Sequence, residues 1–130
     1  MANPNIVNVT SIYGGNSSWN LSNTVTTTLL TVAADVIVKV NLITVANVDG
    51  TNAATCDVCI VKANATPLGI TNYDISGTFY LAKTVNVPAD DILVVLDKPI
   101  YLMATDTLEA LASAGSDLDI FISFEANFFP

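Results

Sequence analysis

The chain has 130 residues, a net charge of −8 and an apolar fraction of 52%, and it contains neither histidine nor arginine. Its four cations are lysines that lie far apart along the sequence, so it lacks the basic patch that nucleic acid and anionic membranes require. Most of the side chains used in catalysis, phosphate binding and metal binding are therefore missing. What remains suits packing against other subunits better than chemistry.

The size and composition predict one domain over residues 1–130. Residues 1–5 are expected to form an extended N-terminal arm and residues 127–130 an extended C-terminal tail. The first residues have neither a basic nor an apolar segment, so no secretory signal is predicted and synthesis in a host cytoplasm is expected.

Apolar and polar residues alternate with a period of two along most of the chain, which indicates strands. The predicted strands are residues 5–13, 24–33, 36–46, 55–63, 78–87, 92–96, 100–103, 108–114 and 118–126. Residues 14–23 are polar and are interpreted as an exposed loop, as are residues 64–77. Turns are predicted at Asp49-Gly50 and at residues 88–91, and a final hairpin is predicted across residues 115–117.

The side-chain patterns also predict which faces are apolar. In the strand at 36–46 both faces are partly apolar, so this strand is predicted to be central. One face of each of three strands is predicted to be apolar, namely Val36, Val38, Val40 and Leu42; Phe79, Leu81, Val85 and Val87; and Leu118, Ile120, Ile122 and Phe124. Strands at this spacing, separated by turn signals, predict an all-β, antiparallel β-sandwich or jelly roll.

Cys56 and Cys59 form a C-x-x-C pattern, which is used in redox and zinc sites. The flanking residues predict a strand, and residues three apart in a strand point to opposite faces. The two thiols are therefore expected to diverge, with no disulfide between them. No cofactor or metal is predicted.

Acidic residues cluster in predicted turns, at residues 47–52, at Asp90-Asp91 and at Asp117 and Asp119. The first segment faintly resembles a calcium loop, but its glycine is in the wrong position. Local hydrogen bonding in turns explains these residues better than a metal site or an acid-base pair does. Nucleophilic catalysis would lack a histidine to activate Ser, Thr or Cys, so an enzyme is not expected.

Three aromatic residues are the candidate interface residues: Trp19, Phe128 and Phe129. Trp19 falls in the polar segment predicted to be a loop, and tryptophan is enriched at binding hot spots. Phe128 and Phe129 follow the last predicted strand and are expected to pack on their own subunit's edge or on a neighbour. Exposed aromatics also leave open a sugar-binding face.

Several segments resemble small virion structural proteins of tailed bacteriophages, especially those of marine cyanobacteria. The residues that carry the resemblance are residues 1–12 (MANPNIVNVTSI), 45–54 (VANVDGTNAA), 85–102 (VNVPADDILVVLDKPIYL), 106–114 and 117–125. These are strand-and-turn segments and include no catalytic motif.

The resemblance implies a non-enzymatic component of the virion present in many copies. The favoured role is a capsid decoration or cement protein, often a homotrimer, whose partners are the major capsid protein and copies of itself. The alternatives are a tail, neck or fibre-associated structural protein, or a host-glycan-binding module on the particle.

Overall fold

The computed structural model of the chain describes residues 10–63 and 76–128. These residues form nine strands and no helix, so none of them belongs to a helix that could cross a membrane. The strands are β1 (Ser11–Asn20), β2 (Thr27–Thr31), β3 (Val36–Asn47), β4 (Ala54–Lys62), β5 (Gly77–Val87), β6 (Ile92–Leu96), β7 (Ile100–Leu102), β8 (Thr107–Ala112) and β9 (Leu118–Phe128).

The strands form two antiparallel sheets that face each other across one apolar core. Sheet A has the order β1-β9-β3-β6, with β7 beside β6 on the same side of β3, and sheet B has the order β2-β8-β4-β5. The chain passes from one sheet to the other at every connection except β4–β5 and β6–β7. This interleaved order is that of a jelly roll, so the predicted fold class is confirmed.

Several predicted strand bounds agree with the structure, and β6 agrees at both ends. β3 is central in sheet A, as predicted, because it pairs with β9 on one side and with β6 and β7 on the other. β2 and β7 are shorter than predicted, and residues 108–112 are strand as the alternation indicated. Of the predicted first strand, residues 5–9 lie outside the described residues, as do the predicted N-terminal arm and residues 64–75 of the predicted loop.

The predicted loop at residues 14–23 is wrong up to Asn20, because these residues belong to β1. β1 pairs with β9 over ten consecutive positions, from Ser11 opposite Phe128 to Asn20 opposite Asp119. From Gly14 to Ser18 its residues are polar or glycine on both faces, so no alternation marks this part of the strand in the sequence. Main-chain pairing with β9, which is far away in sequence, makes it a strand.

The predicted final hairpin is wrong, because the strands that it would join lie in different sheets, and the strands on either side of the predicted Asp49-Gly50 turn also lie in different sheets. The Asp49-Gly50 turn leads from β3 in sheet A to β4 in sheet B, and residues 113–117 lead from β8 in sheet B to β9 in sheet A. The second connection packs on the chain after β1, where Ser116 N–H donates to the carbonyl of Leu21 at 2.8 Å. A Cβ at Gly115 would lie 2.9 Å from the Ser22 carbonyl oxygen, so this close approach requires glycine.

Bulges shift two of the predicted apolar faces. In β3 the pairing register shifts between Val40 and Leu42, so Ile43 and Val45 face the core and Leu42 does not. In β5 the register shifts at two places opposite β4, and Phe79 and Leu81 are exposed while Ala82 and Val87 are buried. The predicted face of the last strand is confirmed at Leu118, Ile120 and Ile122, which are fully buried, while Phe124 is half-buried.

The core combines the inner faces of both sheets. Its largest fully buried side chains are Leu21, Ile43, Leu102, Leu108, Leu118, Ile120, Ile122, Val32, Val40, Val45, Val58 and Val87. Since each of these side chains contributes about 1.5–3 kcal/mol when it leaves water, this cluster is the main source of stability. It also holds the two sheets in the relative position that defines the surfaces described next.

Candidate interaction surfaces

The outer face of sheet A carries a patch of exposed apolar side chains. Cross-strand neighbours share a face, and two rows of them cross this side of the sheet: Val94, Thr44, Phe121 and Ser18, and then Ile92, Ala46, Asp119 and Asn20. Ile92 is 57% exposed, Val94 50%, Tyr101 55% and Phe121 41%. We call Ile92, Val94, Tyr101 and Phe121 the outer patch.

The outer patch is unlike the usual solvent face of an antiparallel sheet, where polar residues alternate with buried apolar ones. Thr44 and Ala46, which lie between its members, are small and uncharged. Lys39 and Glu125 face each other two rows beyond Phe121, opposite Tyr101 and Gly14. A flat apolar centre with charges at its margin is the composition expected of a protein contact.

A groove of about 430 Å³ lies beside Phe121. Its lining residues are Ser18, Trp19, Asn20, Thr44, Ala46, Asp119, Ile120 and Phe121. The Asn20 side-chain amide donates to Asp119 Oδ1 at 2.6 Å, which fixes the carboxylate at one end of the groove. The groove thus places the ring of Phe121 beside hydroxyl, amide and carboxylate groups.

Trp19 lies in β1 and not in a loop, which corrects the predicted setting of this residue. It is opposite Ile120, and its indole N–H donates to Ser17 Oγ at 2.8 Å. With 39% of its surface exposed, it remains accessible at the border of sheet A.

Phe128 belongs to β9, so the strand extends two residues beyond the predicted end. Its ring meets Tyr13 of β1 edge-to-face, with 5.5 Å between the ring centroids. Phe128 therefore contacts the border strand of its own subunit, and both rings remain partly exposed. Phe129 lies outside the described residues.

The two cysteines are free and point to opposite faces of sheet B, as predicted. Cys56 belongs to the core, where burial raises the pKa of its thiol to about 11. Cys59 is on the outer face opposite Glu109, and burial together with Glu109 and Asp57 raises its pKa as well. A reactive cysteine requires a lowered thiol pKa. The pKa of both thiols is raised here, so neither cysteine is activated.

Asp57 holds a bulge in β5 and is not placed for chemistry. Its Oδ1 accepts the Thr84 N–H at 2.6 Å, and its Oδ2 lies 3.2 Å from Lys83 Nζ. Lys83 also lies 4.6 Å above the ring of Tyr80. The hydrogen bond that Lys83 donates to the Asp57 carboxylate raises the pKa of Lys83, which keeps the ammonium charged.

Asp106 is the most buried carboxylate among the described residues, and the sequence did not single it out. Its Oδ2 accepts the Met103 N–H at 3.0 Å and lies 2.9 Å from Lys62 Nζ. Lys62 belongs to β4 in sheet B, while Met103 directly follows β7 in sheet A. The Asp106 carboxylate therefore connects β4 of sheet B to the segment that directly follows β7, which is a structural role.

The acidic turns are held by local hydrogen bonds, in agreement with the turn interpretation. Asp49 accepts the Thr51 N–H at 2.8 Å, which lowers the pKa of its carboxyl group. Asp91 N–H donates to the Pro88 carbonyl, closing the predicted turn at residues 88–91. Within residues 10–63 and 76–128, no three His, Cys, Asp or Glu side chains come together as a metal site would need.

No protein-family model matches the chain, and no curated protein matches it by sequence. Solved structures that it resembles include the capsid structure of Helicobacter pylori bacteriophage KHP30, with a TM-score of 0.47 and 11% identity over 92% of this chain and 90% of that one. The disulfide-linked pili of Bacillus endospore appendages match with a TM-score of 0.46 and 13% identity over 92% and 88%.

A structure of infectious bursal disease virus, Gx strain, matches with a TM-score of 0.43 and 13% identity over 91% of this chain and 30% of that one. All three TM-scores lie below 0.5, so none of these likenesses establishes a shared function. The surfaces of the chain itself must carry the functional argument.

Proposed function

We propose that the chain is a non-enzymatic structural protein of a virus particle, and specifically a capsid decoration or cement protein that binds the assembled lattice of the major capsid protein. The observation that carries the proposal is the outer patch, an apolar sheet face on a chain with a net charge of −8. The jelly roll is a fold in which viral capsid domains are built. The phage-protein resemblance of the strand-and-turn segments agrees with this role.

The physical mechanism is mass action. A subunit that binds the assembled lattice and not its dissociated parts stabilises the lattice by an amount that grows with its concentration above the Kd. The outer patch supplies apolar area for such contacts, and the surrounding carboxylates keep the unassembled subunit soluble. The partners in this proposal are the major capsid protein and further copies of the chain, and the homotrimer expected from the sequence stays a prediction.

The test uses particles stripped of the protein and then incubated with the purified chain. A triple variant, Ile92→Ser, Val94→Ser and Phe121→Ser, removes the centre of the outer patch. We expect it to lose binding by at least about a hundredfold, since truncating central apolar anchors costs about 1–4 kcal/mol each. Binding is measured by sedimentation with the particles, and lattice stability by the temperature at which the genome is released.

The matched control carries the same kind of change at Val25, Val48 and Phe79, which are equally exposed but lie elsewhere. Val25→Ser, Val48→Ser and Phe79→Ser together should leave binding unchanged. An equal loss of particle binding in the two triple variants would show that the outer patch is not the lattice-binding surface. A copy number per particle far below that of the major capsid protein would favour the tail, neck or fibre alternative.

The groove beside Phe121 favours a second candidate function, the recognition of host glycans. Sugars bind where aromatic rings lie beside hydrogen-bonding groups, and Phe121 and Asp119 provide both. Lectin domains are also built on jelly rolls. Glycan-array binding that is abolished by Phe121→Ala and kept in Val25→Ala would support this function, and an array without any binding would exclude it.

A further inference from the structure

The outer edge of β1 offers main-chain hydrogen-bonding groups along ten residues. β1 pairs with β9 on one side, and no other described strand pairs with its opposite side. In the same register, Leu21 N–H donates to the Leu118 carbonyl at 2.9 Å. Hydrogen-bonded positions alternate in an antiparallel ladder, so odd-numbered residues of β1 bond to β9. The N–H and C=O groups of Ile12, Gly14, Asn16, Ser18 and Asn20 consequently point outward.

This edge lacks the usual devices against pairing with another chain. Proteins protect exposed edges with charged side chains, prolines or short strands. β1 has ten residues without a charge or a proline (SIYGGNSSWN). On a chain with 12 acidic residues and four lysines, an uncharged edge is where two copies approach with least repulsion. The charge distribution thus favours a second copy of the same chain as the occupant.

The aromatic residues of β1 are placed symmetrically about its middle. Tyr13 precedes Asn16 by three residues and Trp19 follows it by three. Both side chains lie on the inner side of sheet A, opposite Ala126 and Ile120, yet they remain 61% and 39% exposed. Isologous contacts require such self-complementary placement about a two-fold axis.

We propose that β1 pairs antiparallel with β1 of a second copy, with the two-fold axis at Asn16. In this register Asn16 faces the partner's Asn16, and Tyr13 faces the partner's Trp19 at closely spaced, non-hydrogen-bonded positions. The five outward-pointing residues of each copy form up to about ten hydrogen bonds. Aromatic pairs at such positions stabilise a sheet.

The pairing joins the two A sheets into one continuous sheet with both B sheets on the same side. The two Tyr13–Trp19 pairs then lie in the cleft between the B sheets, which accounts for aromatic side chains on an otherwise uncovered inner face. This contact between copies is independent of lattice binding and leaves the outer patch on the opposite face free.

Disulfide trapping in the full chain tests the register. Asn16→Cys places the new thiol opposite itself across the axis, with Cα atoms about 5.5 Å apart, which is within disulfide range. Ile12→Cys is the matched control, because the partner's residue 12 lies eight positions away from the facing residue, or about 26 Å. We expect a covalent dimer with Asn16→Cys and none with Ile12→Cys. Equal cross-linking of both variants, or of neither, overturns the register.

Light scattering of the unmodified chain tests the pairing itself. We expect a concentration-dependent dimer, and Asn16→Asp should raise its dissociation constant by about tenfold or more by placing two like charges face to face. Asn86→Asp, the same change at an exposed position of β5, should leave the constant unchanged. A monomer at all concentrations, or a trimer, which has no two-fold axis, overturns the proposal. Neither result bears on lattice binding, which is measured separately on particles.

Discussion

At the scale of single residues, the sequence predicted correctly the features that depend only on which way a side chain points from its strand. Residues three apart in a strand diverge, so the interpretation of Cys56 and Cys59 as two separate thiols followed from the local pattern and is confirmed. Asp106 is the opposite case. Its ion-pair partner Lys62 lies 44 residues away, and nothing near either residue in sequence indicates that they meet.

The Lys62–Asp106 pair leads to a stability prediction. Asp106→Ala should lower the free energy of unfolding by about 3 kcal/mol, because it removes one partner of a buried, hydrogen-bonded ion pair. Asp97→Ala, at an exposed position, should change it by less than about 0.5 kcal/mol. Urea unfolding followed by tryptophan fluorescence measures both. Similar values for the two variants would mean that the buried ion pair contributes no stability.

The raised thiol pKa values lead to a prediction on pH dependence. In a Cys59→Ser variant, alkylation of Cys56 at pH 9 should be at least about tenfold slower in the folded protein than in urea, because burial disfavours the reactive thiolate. Since the folded pKa is above its ordinary value, the associated stability is present below pH 9 and is lost as the pH rises towards 11. Equal alkylation rates in the two states would contradict this assignment.

At the scale of elements, alternation found the strands whose one face is buried and missed the strand that lacks this contrast. β1 shows no alternation because it lies at the border of sheet A and carries glycines and small polar residues. At Gly15 a Cβ would lie 3.0 Å from the ring of Phe124, its cross-strand neighbour, so glycine makes room for that ring. The bulges in β3 and β5 are equally invisible in the sequence, since each depends on the register of a neighbouring strand.

The bulge in β5 leads to a prediction in which two glycine substitutions in the same strand have opposite effects on stability. Thr84 has a φ of 51°, a conformation that costs a β-branched residue about 1–2 kcal/mol. Thr84→Gly should therefore stabilise the protein by up to about 1 kcal/mol. Thr78→Gly, at an exposed position with ordinary strand backbone in the same β5, should destabilise it by about 0.5–1 kcal/mol. Thermal unfolding of both variants measures these changes in stability. A loss of stability in both would show that the Thr84 backbone is unstrained.

At the scale of the whole molecule, composition predicts solution behaviour directly. The net charge of −8 keeps the subunit dispersed at neutral pH, and the sequence pI is about 4.1. As the carboxylates become protonated near pH 4, repulsion disappears and the exposed apolar side chains should drive association. Static light scattering should therefore rise steeply between about pH 5 and pH 4 and fall again on return to pH 7. A protein that stays dispersed at pH 4 would contradict this account.

The sequence by itself determined the fold class, most of the strands, the central position of β3 and the divergence of the two thiols. Each of these depends on local alternation or on the two-residue repeat of a strand. Only the tertiary structure decided which strands share a sheet, and it replaced the expected final hairpin with a crossing between sheets. It also decided which apolar residues remain exposed. Val94 and Phe121 are exposed because they lie on the outer face of sheet A, and sheet B packs against the inner face.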